Sequence, residues 1–244
     1  MKFSVLSTVA AIAIAAAGTA SALPTVMLDS VTSEWIAATP GTAANLTGLN
    51  AGAAPSSTLS WGTSTGYGQS NYNFAGVAPL PQEVTSFPFL LGDFSHYNYP
   101  ITGTAIDSAT LAVTIAGTIG GEAFSLTSSF LFNHDETTND QNPCPYGDTS
   151  PCGDQVSFGG VTGATSVIVD NQEYILSFVG FQAEPGGSVL SHFFSDEYGN
   201  NSAGLYANIV PGQSFGQVPL PAGAVLLLSG LGALGVARKR RKSA

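Results

Sequence analysis

Between Asp107 and Phe132 the sequence alternates apolar and polar residues with a period of two, and this pattern most constrains the fold. Such alternation is typical of β-strands that bury one face. The pair Gly120-Gly121 divides the stretch and is a two-residue hairpin signal. The segment therefore predicts an antiparallel hairpin. The alternation also places His134 on the apolar face of this hairpin. The apolar residues of that face are Leu111, Val113, Ile115, Ile119, Phe124, Leu126, Phe130 and Phe132.

Short runs of β-branched and aromatic residues recur along residues 23–211, separated by Gly- and Pro-containing turns. Pro88 favours an edge position or a strand start. A long polar loop is predicted from Asn133 to Asp154. The pattern indicates an all-β domain, an antiparallel and jelly-roll-like β-sandwich. Besides the hairpin, strands are predicted at residues 26–36, 59–62, 70–74, 86–96, 156–158, 166–169, 174–182, 189–194 and 205–210.

Residues 1–22 have the pattern of a secretory signal peptide. Met1-Lys2 is a short basic start, Phe3 to Gly18 is apolar, and Ala20-Ser21-Ala22 is a small-residue cleavage site. We expect a signal helix that signal peptidase removes, so that Leu23 begins the exported chain. The alternative is an N-terminal helix buried in the domain.

Charge is divided sharply along the chain. All six Lys and Arg residues lie in the terminal segments, whereas all sixteen acids lie between them. Residues 23–221 therefore have a formal charge of −16 with His neutral. Nucleic-acid binding needs cations that displace phosphate counterions, so this class of partner is excluded for the domain.

The last 27 residues contain three successive elements. After a spacer at residues 212–217 comes Val218-Pro219-Leu220-Pro221-Ala222, then the apolar run from Gly223 to Ala237. A helix of that run with Ala222 is roughly 24 Å long, so it spans a ~30 Å bilayer core marginally. The cluster that follows predicts a cytoplasmic end by the positive-inside rule; it consists of Arg238, Lys239, Arg240, Arg241 and Lys242. A permanent membrane anchor is the alternative.

These three elements resemble the PEP-CTERM sorting signal in its VPLPA variant. The resemblance implies a Gram-negative bacterium and export through the inner membrane. It also implies processing by an exosortase and delivery to the cell surface, the outer membrane or an exopolysaccharide matrix.

The domain carries a second resemblance. Phe94 to Ile101 is similar to the T-H-x-N signature of a family of PEP-CTERM proteins and to the choice-of-anchor K domain, with Ser95 at the Thr position, followed by His96 and Asn98. Residues 61–74 and 132–139 match in addition, the latter through His134, Asp135 and Glu136. The resemblance implies an extracellular β-rich domain and supplies no catalytic residues.

The chain has two cysteines, Cys144 and Cys152. An exported chain meets an oxidising environment, which favours a disulfide between them. A metal-binding thiol pair near His134 is the alternative, but their spacing is not that of a standard zinc knuckle.

The polar loop is rich in oxygen ligands of the kind that Ca²⁺ prefers. The spacing matches neither an EF-hand nor a calcium-binding nonapeptide repeat. A solvated loop without an ion is the alternative. The candidate calcium ligands are Asp135, Glu136, Asn139, Asp140, Asn142, Asp148 and Asp154.

His96 and His134 each fall on or near a predicted strand end. If they meet in space, two imidazoles and a carboxylate make a transition-metal site. In the alternative, His96 and Asn98 hydrogen-bond within their own turn before Pro100, and His134 lies at the edge of the core.

These observations favour a secreted, surface-sorted structural or adhesive protein without catalysis. A calcium-dependent carbohydrate-binding module is one alternative. In this alternative, the side chains that stack on sugars are Tyr67, Tyr72, Tyr97 and Tyr99. Tyrosines in β proteins are, however, more often core residues. A glycoside hydrolase, which needs two carboxylates about 5–9.5 Å apart, is another. Neither a Gly-x-Ser-x-Gly elbow nor a placed Ser-His-Asp order occurs.

Overall fold

The computed structural model describes residues 23–147, 149–162 and 164–212, which fold into an antiparallel β-sandwich. The predicted all-β sandwich is confirmed. The described part contains no helix that is long and apolar enough to cross a membrane. The predicted signal peptide and the sorting tail lie outside the described residues.

Fourteen strands make up the two main sheets and one small sheet in the described chain. The first sheet comprises β1 (Val26–Thr39), β5 (Gln82–Glu83), β8 (Ser108–Ile119), β9 (Glu122–Asp135), β10 (Asp154–Thr162) and β13 (His192–Ser195). The second sheet comprises β2 (Ser56–Trp61), β4 (Ser70–Gly76), β6 (Phe89–Asn98), β11 (Ala164–Val169), β12 (Gln172–Gln182) and β14 (Gly199–Pro211). The small sheet comprises β3 (Thr63–Ser64) and β7 (Ile101–Thr102).

The strand order is β13-β10-β9-β8-β1-β5 in the first sheet and β11-β12-β14-β6-β4-β2 in the second. The predicted hairpin is the pair β8–β9, with Ile119 opposite Glu122. Gly120 and Gly121 have φ values of +59° and +89°, a left-handed region that glycine reaches without steric cost. The hairpin therefore forms where the Gly-Gly pair predicts it.

The core lies between the two sheets and is rich in aromatic side chains. Burial alternates along β8 and β9 as the period-two pattern requires, and His134 is buried on the same face as Phe130 and Phe132. Rings from both sheets stack here, since Phe94 of β6 and Phe132 of β9 have centroids 4.5 Å apart and nearly parallel planes. The largest side chains without exposed surface include Trp35, Trp61, Tyr72, Phe74, Phe94 and Phe132.

Several predicted boundaries differ from the structure. The polar loop is shorter than predicted, because β9 continues to Asp135 and β10 already begins at Asp154. β14 begins at Gly199 rather than at Leu205, since its polar first half pairs with β6, with Gly199 opposite Asn98. Pairing with a neighbouring strand can extend a strand into residues whose own composition is typical of a loop. β6 begins at Phe89 rather than at residue 86, directly after Pro88, which agrees with the expectation that this proline marks a strand start.

Candidate functional site

Two histidines and an aspartate meet inside the sandwich. His96 comes from β6 of the second sheet, while His134 of β9 and Asp154 of β10 come from the first. One ligand atom from each residue lies within 4.8 Å of the other two. We call these three residues the His-His-Asp cluster. All three are buried, and His96 and Asp154 have no exposed surface.

Strand alternation and register bring the cluster together. His96 has the same inward orientation as Phe94, two residues earlier on β6. On β9, His134 follows Phe132 in the same way and is paired with Val156 of β10. Each side chain therefore points into the space between the sheets because a core aromatic or aliphatic residue at spacing two fixes the face of its strand.

Aromatic rings surround the cluster. The Trp61 ring lies nearly parallel to the His96 ring, with centroids 5.8 Å apart, and edge-on to His134 at 5.1 Å. The Tyr72 ring lies edge-on to both imidazoles, at 5.0 Å from His96 and 5.6 Å from His134. The two imidazoles are themselves perpendicular, with centroids 5.1 Å apart. Aromatic rings thus shield the two imidazoles from bulk water.

His134 has partners at both ring nitrogens. The Tyr72 hydroxyl and His134 Nδ1 share a hydrogen bond of 2.8 Å. The other nitrogen, Nε2, lies 3.2 Å from Oε2 of Glu136 and 3.8 Å from Oδ2 of Asp154. The bond to Tyr72 therefore fixes the ring so that Nε2 faces two carboxyl groups.

The other two members of the cluster have unsatisfied polar atoms. Both ring nitrogens of His96 and Oδ2 of Asp154 are buried without a hydrogen-bond partner among the described residues. The Asn98 side chain instead donates to the Ser195 carbonyl at 3.0 Å. The interpretation in which His96 and Asn98 hydrogen-bond within their own turn is therefore wrong, because β6 continues through both residues and sends them into the core.

Burial controls the protonation of the cluster. It raises the pKa of the Asp154 carboxyl to about 9, helped by the neighbouring charge of Glu136 and opposed by a hydrogen bond from Thr137. It also lowers the pKa of His96 well below the ordinary value, and nearby His134 adds to this effect. Without a bound cation, both groups are therefore neutral near pH 7.

The predicted disulfide between Cys144 and Cys152 is present, with a Cα–Cα distance of 5.3 Å. Both cysteines are buried. Thr137 fixes the end of this loop, because its hydroxyl donates to the Cys152 carbonyl at 3.0 Å and its backbone N–H donates to Asp154 Oδ1 at 2.9 Å. The disulfide loop therefore leads directly into the cluster and positions Asp154.

The candidate calcium ligands are divided between several places. Glu136 and Asp154 lie beside His134, whereas Asp135 is exposed on the other face of β9 and accepts a hydrogen bond from the Tyr146 hydroxyl. Asn139 is half-buried and Asp140 is exposed, the latter beside Asn142 on an open cleft of about 380 Å³. Asp148 lies outside the described residues. The calcium site remains a prediction.

Sequence reasoning missed Glu197. Its carboxyl is near enough to add to the rise in the pKa of Asp154, and burial raises the pKa of Glu197 itself. Glu197 lies in the turn between β13 and β14, far from the polar loop in sequence. No local pattern in the sequence associates this residue with the other acids of the site.

The four tyrosines considered for sugar stacking have different environments. Tyr72 is fully buried in the core, and Tyr97 and Tyr99 are half-buried. Tyr67 is exposed and packs edge-on against exposed Tyr198, with centroids 4.8 Å apart. The predicted role in sugar stacking is therefore wrong for Tyr72, whereas Tyr67 forms an exposed pair with Tyr198.

Compared with models of known protein families and with curated proteins, the chain matches none.

Proposed function

We propose that this protein is exported and sorted to the cell surface or extracellular matrix, where it has a structural or adhesive role without catalysis. The observation that carries the proposal is the tripartite tail, in which a Val-Pro-Leu-Pro-Ala motif, an apolar run and a basic cluster follow one another. The proposed processing partners are signal peptidase and an exosortase. The proposed origin is a Gram-negative bacterium.

Two features of the domain support this location. The Cys144–Cys152 disulfide is compatible with an oxidising compartment. The described residues contain no Lys or Arg, so the domain is strongly acidic. Negative surface charge keeps a protein soluble and prevents its association with anionic polymers such as nucleic acids.

The buried position of Asp154 supports a role without catalysis. A glycosidase needs two carboxyl groups that contact a sugar. Asp154 has no exposed surface and lies beside His96 and His134, against which Trp61 and Tyr72 pack, so a polysaccharide has no access to it. The ligand atoms of His96, His134 and Asp154 lie within 4.8 Å of one another, which leaves no room between them for a sugar ring.

The Tyr67–Tyr198 pair supports exopolysaccharide as the adhesive partner. The two side chains are 63% and 51% exposed, which is unusual for rings that in this protein mostly pack in the core. Exposed aromatic rings offer apolar faces together with a polar hydroxyl group. These surfaces are suited to stacking on sugar rings at a matrix surface.

Cell fractionation in the natural host tests the sorting proposal. We expect the full chain in the surface fraction and a chain truncated after Gln217 in the periplasm or the medium. Replacing the five cations at residues 238–242 by Gln removes the cytoplasmic stop and misroutes the protein. Ser243→Gln, next to the cluster and without a charge change, is the matched control. Unchanged localisation of the truncated chain contradicts the proposal.

The same fractionation experiment tests the adhesive role of the Tyr67–Tyr198 pair separately. The double variant Tyr67→Ala/Tyr198→Ala reaches the surface normally but is released by washing more readily than the full chain. The control is Ile168→Ala, which shortens another exposed apolar side chain. Equal retention of both variants shows that the tyrosine pair is not adhesive, while the sorting proposal is judged separately.

A further inference from the structure

The His-His-Asp cluster has more unsatisfied polar atoms than a protein core normally tolerates. His96 contributes two ring nitrogens and Asp154 one carboxyl oxygen, all buried without a hydrogen-bond partner among the described residues. A buried polar group without a partner costs about 1–3 kcal/mol. One of the two His96 nitrogens, a ligand atom of His134 and one of Asp154 lie within 4.8 Å of one another, which indicates that a ligand is bound between them.

We propose that His96, His134 and Asp154 bind one divalent transition-metal ion of the zinc class, which joins the two sheets of the sandwich. His96 belongs to the second sheet, whereas His134 and Asp154 belong to the first. The ion is therefore a cross-link through the core rather than a local clamp on one loop.

The donor set selects the class of metal. Two imidazole nitrogens and a carboxylate suit zinc and its first-row neighbours. Calcium takes six to eight oxygen ligands, and two imidazoles supply none of them. Glu136 supplies the fourth ligand, because its Oε2 already lies 3.2 Å from His134 Nε2.

The geometry requires a small contraction. At zinc–ligand distances of about 2.0–2.1 Å, neighbouring ligand atoms in a tetrahedron are roughly 3.3 Å apart. His134 Nε2 and Asp154 Oδ2 are 3.8 Å apart, and the three ligand atoms of the cluster lie within 4.8 Å of one another. Side-chain rotations that shorten the separations between these atoms by up to roughly 1.5 Å complete the site.

Neighbouring groups already orient the ligands. Metal-binding histidines normally use their second nitrogen in an outer hydrogen bond, and Tyr72 provides this bond at His134 Nδ1. Thr137 likewise bonds Oδ1 of Asp154 and leaves Oδ2 available for the ion. The site is closed and buried, which is typical of structural rather than catalytic zinc.

The charges of the site are also compatible with a divalent cation. Asp154 and Glu136 are two carboxyl groups beside the imidazole of His134, and the described residues contain no Lys or Arg that could pair with them. A divalent ion with two ionised carboxylates gives a neutral buried site.

Metal titration of the purified full chain tests the proposal. After removal of metal with a chelator, we expect one equivalent of Zn²⁺ to bind in calorimetry and one equivalent of Co²⁺ to give a tetrahedral absorption spectrum. Free Zn²⁺ at 100 times its dissociation constant raises the unfolding midpoint by roughly 5–11 °C. Ca²⁺ produces none of these changes at this site. Absence of Zn²⁺ and Co²⁺ uptake overturns the proposal.

Matched variants locate the site. His96→Gln and Asp154→Asn lower Zn²⁺ affinity at least 100-fold, whereas His192→Gln, at the exposed third histidine, and Asp140→Asn, at an exposed acid, leave it unchanged. Full affinity in His96→Gln overturns the proposal.

A measurement without variants covers the case in which a core substitution prevents folding. In the ¹⁵N-histidine NMR spectrum of the full chain, Zn²⁺ shifts the signals of two of the three imidazoles and leaves His192 unchanged. A shift confined to His192 contradicts the proposal.

Discussion

Thr137 is the residue through which the disulfide loop contacts the His-His-Asp cluster. It is buried, its hydroxyl donates to the carbonyls of Cys152 and Gly153, and its backbone N–H donates to Asp154. One side chain thus fixes both the chain leaving the disulfide and the carboxyl that follows it. The position of Asp154 depends on this short local network.

Thr137→Val is expected to destabilise the domain. Valine has nearly the same shape but no hydroxyl, so the buried carbonyls of Cys152 and Gly153 lose a donor, at a cost of about 1–3 kcal/mol. Denaturant unfolding of the metal-free protein measures the difference. Thr138→Val, at the exposed neighbouring residue, is the control and should change stability by less than about 0.5 kcal/mol. Equal effects of the two substitutions contradict the role assigned to Thr137.

At the residue scale, the sequence predicts which face of a strand a side chain occupies better than it predicts which side chains of other strands it contacts. The period-two pattern from Phe124 to Phe132 correctly places His134 on the buried face. The sequence allows the hypothesis that His96 lies beside His134 but cannot decide it, because this contact depends on how the two sheets stack. Glu197 could not be found at all, since it arrives through a turn between strands of different sheets.

The interface between β1 and β8 depends on the absence of a side chain at Gly117. The register of the pair shifts next to this residue, between Leu28 and Ser30 of β1. A Cβ atom at position 117 would lie 2.0 Å from the Met27 carbonyl oxygen and 3.1 Å from the Phe124 ring. The two backbones approach too closely for any other residue.

Gly117→Ala is therefore expected to reduce the free energy of unfolding by about 3 kcal/mol, because β1 must move away from β8. The measurement is denaturant unfolding followed by circular dichroism. Gly41→Ala is the matched control, since the new Cβ would lie 3.7 Å from the Ala38 carbonyl oxygen, an ordinary contact. A loss as small as that of the control shows that the β1–β8 interface tolerates a side chain.

Strands with regular alternation could be predicted from the sequence, and strands defined by their neighbours could not. β8 and β9 fall within a residue or two of their predicted starts, because the pattern and the Gly-Gly turn coincide. The turn at Asp170-Asn171 likewise has positive φ at both residues. In contrast, the first half of β14 is polar and forms a strand because β6 offers hydrogen bonds beside it.

At the scale of the whole molecule, the division of charge and the sandwich lead to the same account. The basic residues lie in the two terminal segments, and the folded domain contains sixteen acids between them. The sandwich encloses the His-His-Asp cluster, which is the one group of histidine and acid ligands among the described residues. We propose that processing at both ends leaves a purely acidic, closed β domain at the cell surface.

The mass of the protein recovered from the surface of its natural host tests this account most directly. We expect a species that begins at Leu23 and lacks the cluster at residues 238–242. Because such a product has no Lys or Arg, trypsin should leave its mass unchanged even after unfolding and reduction of the disulfide. A surface species that retains Met1–Ala22 or Arg238–Lys242, and that trypsin therefore shortens, would contradict it.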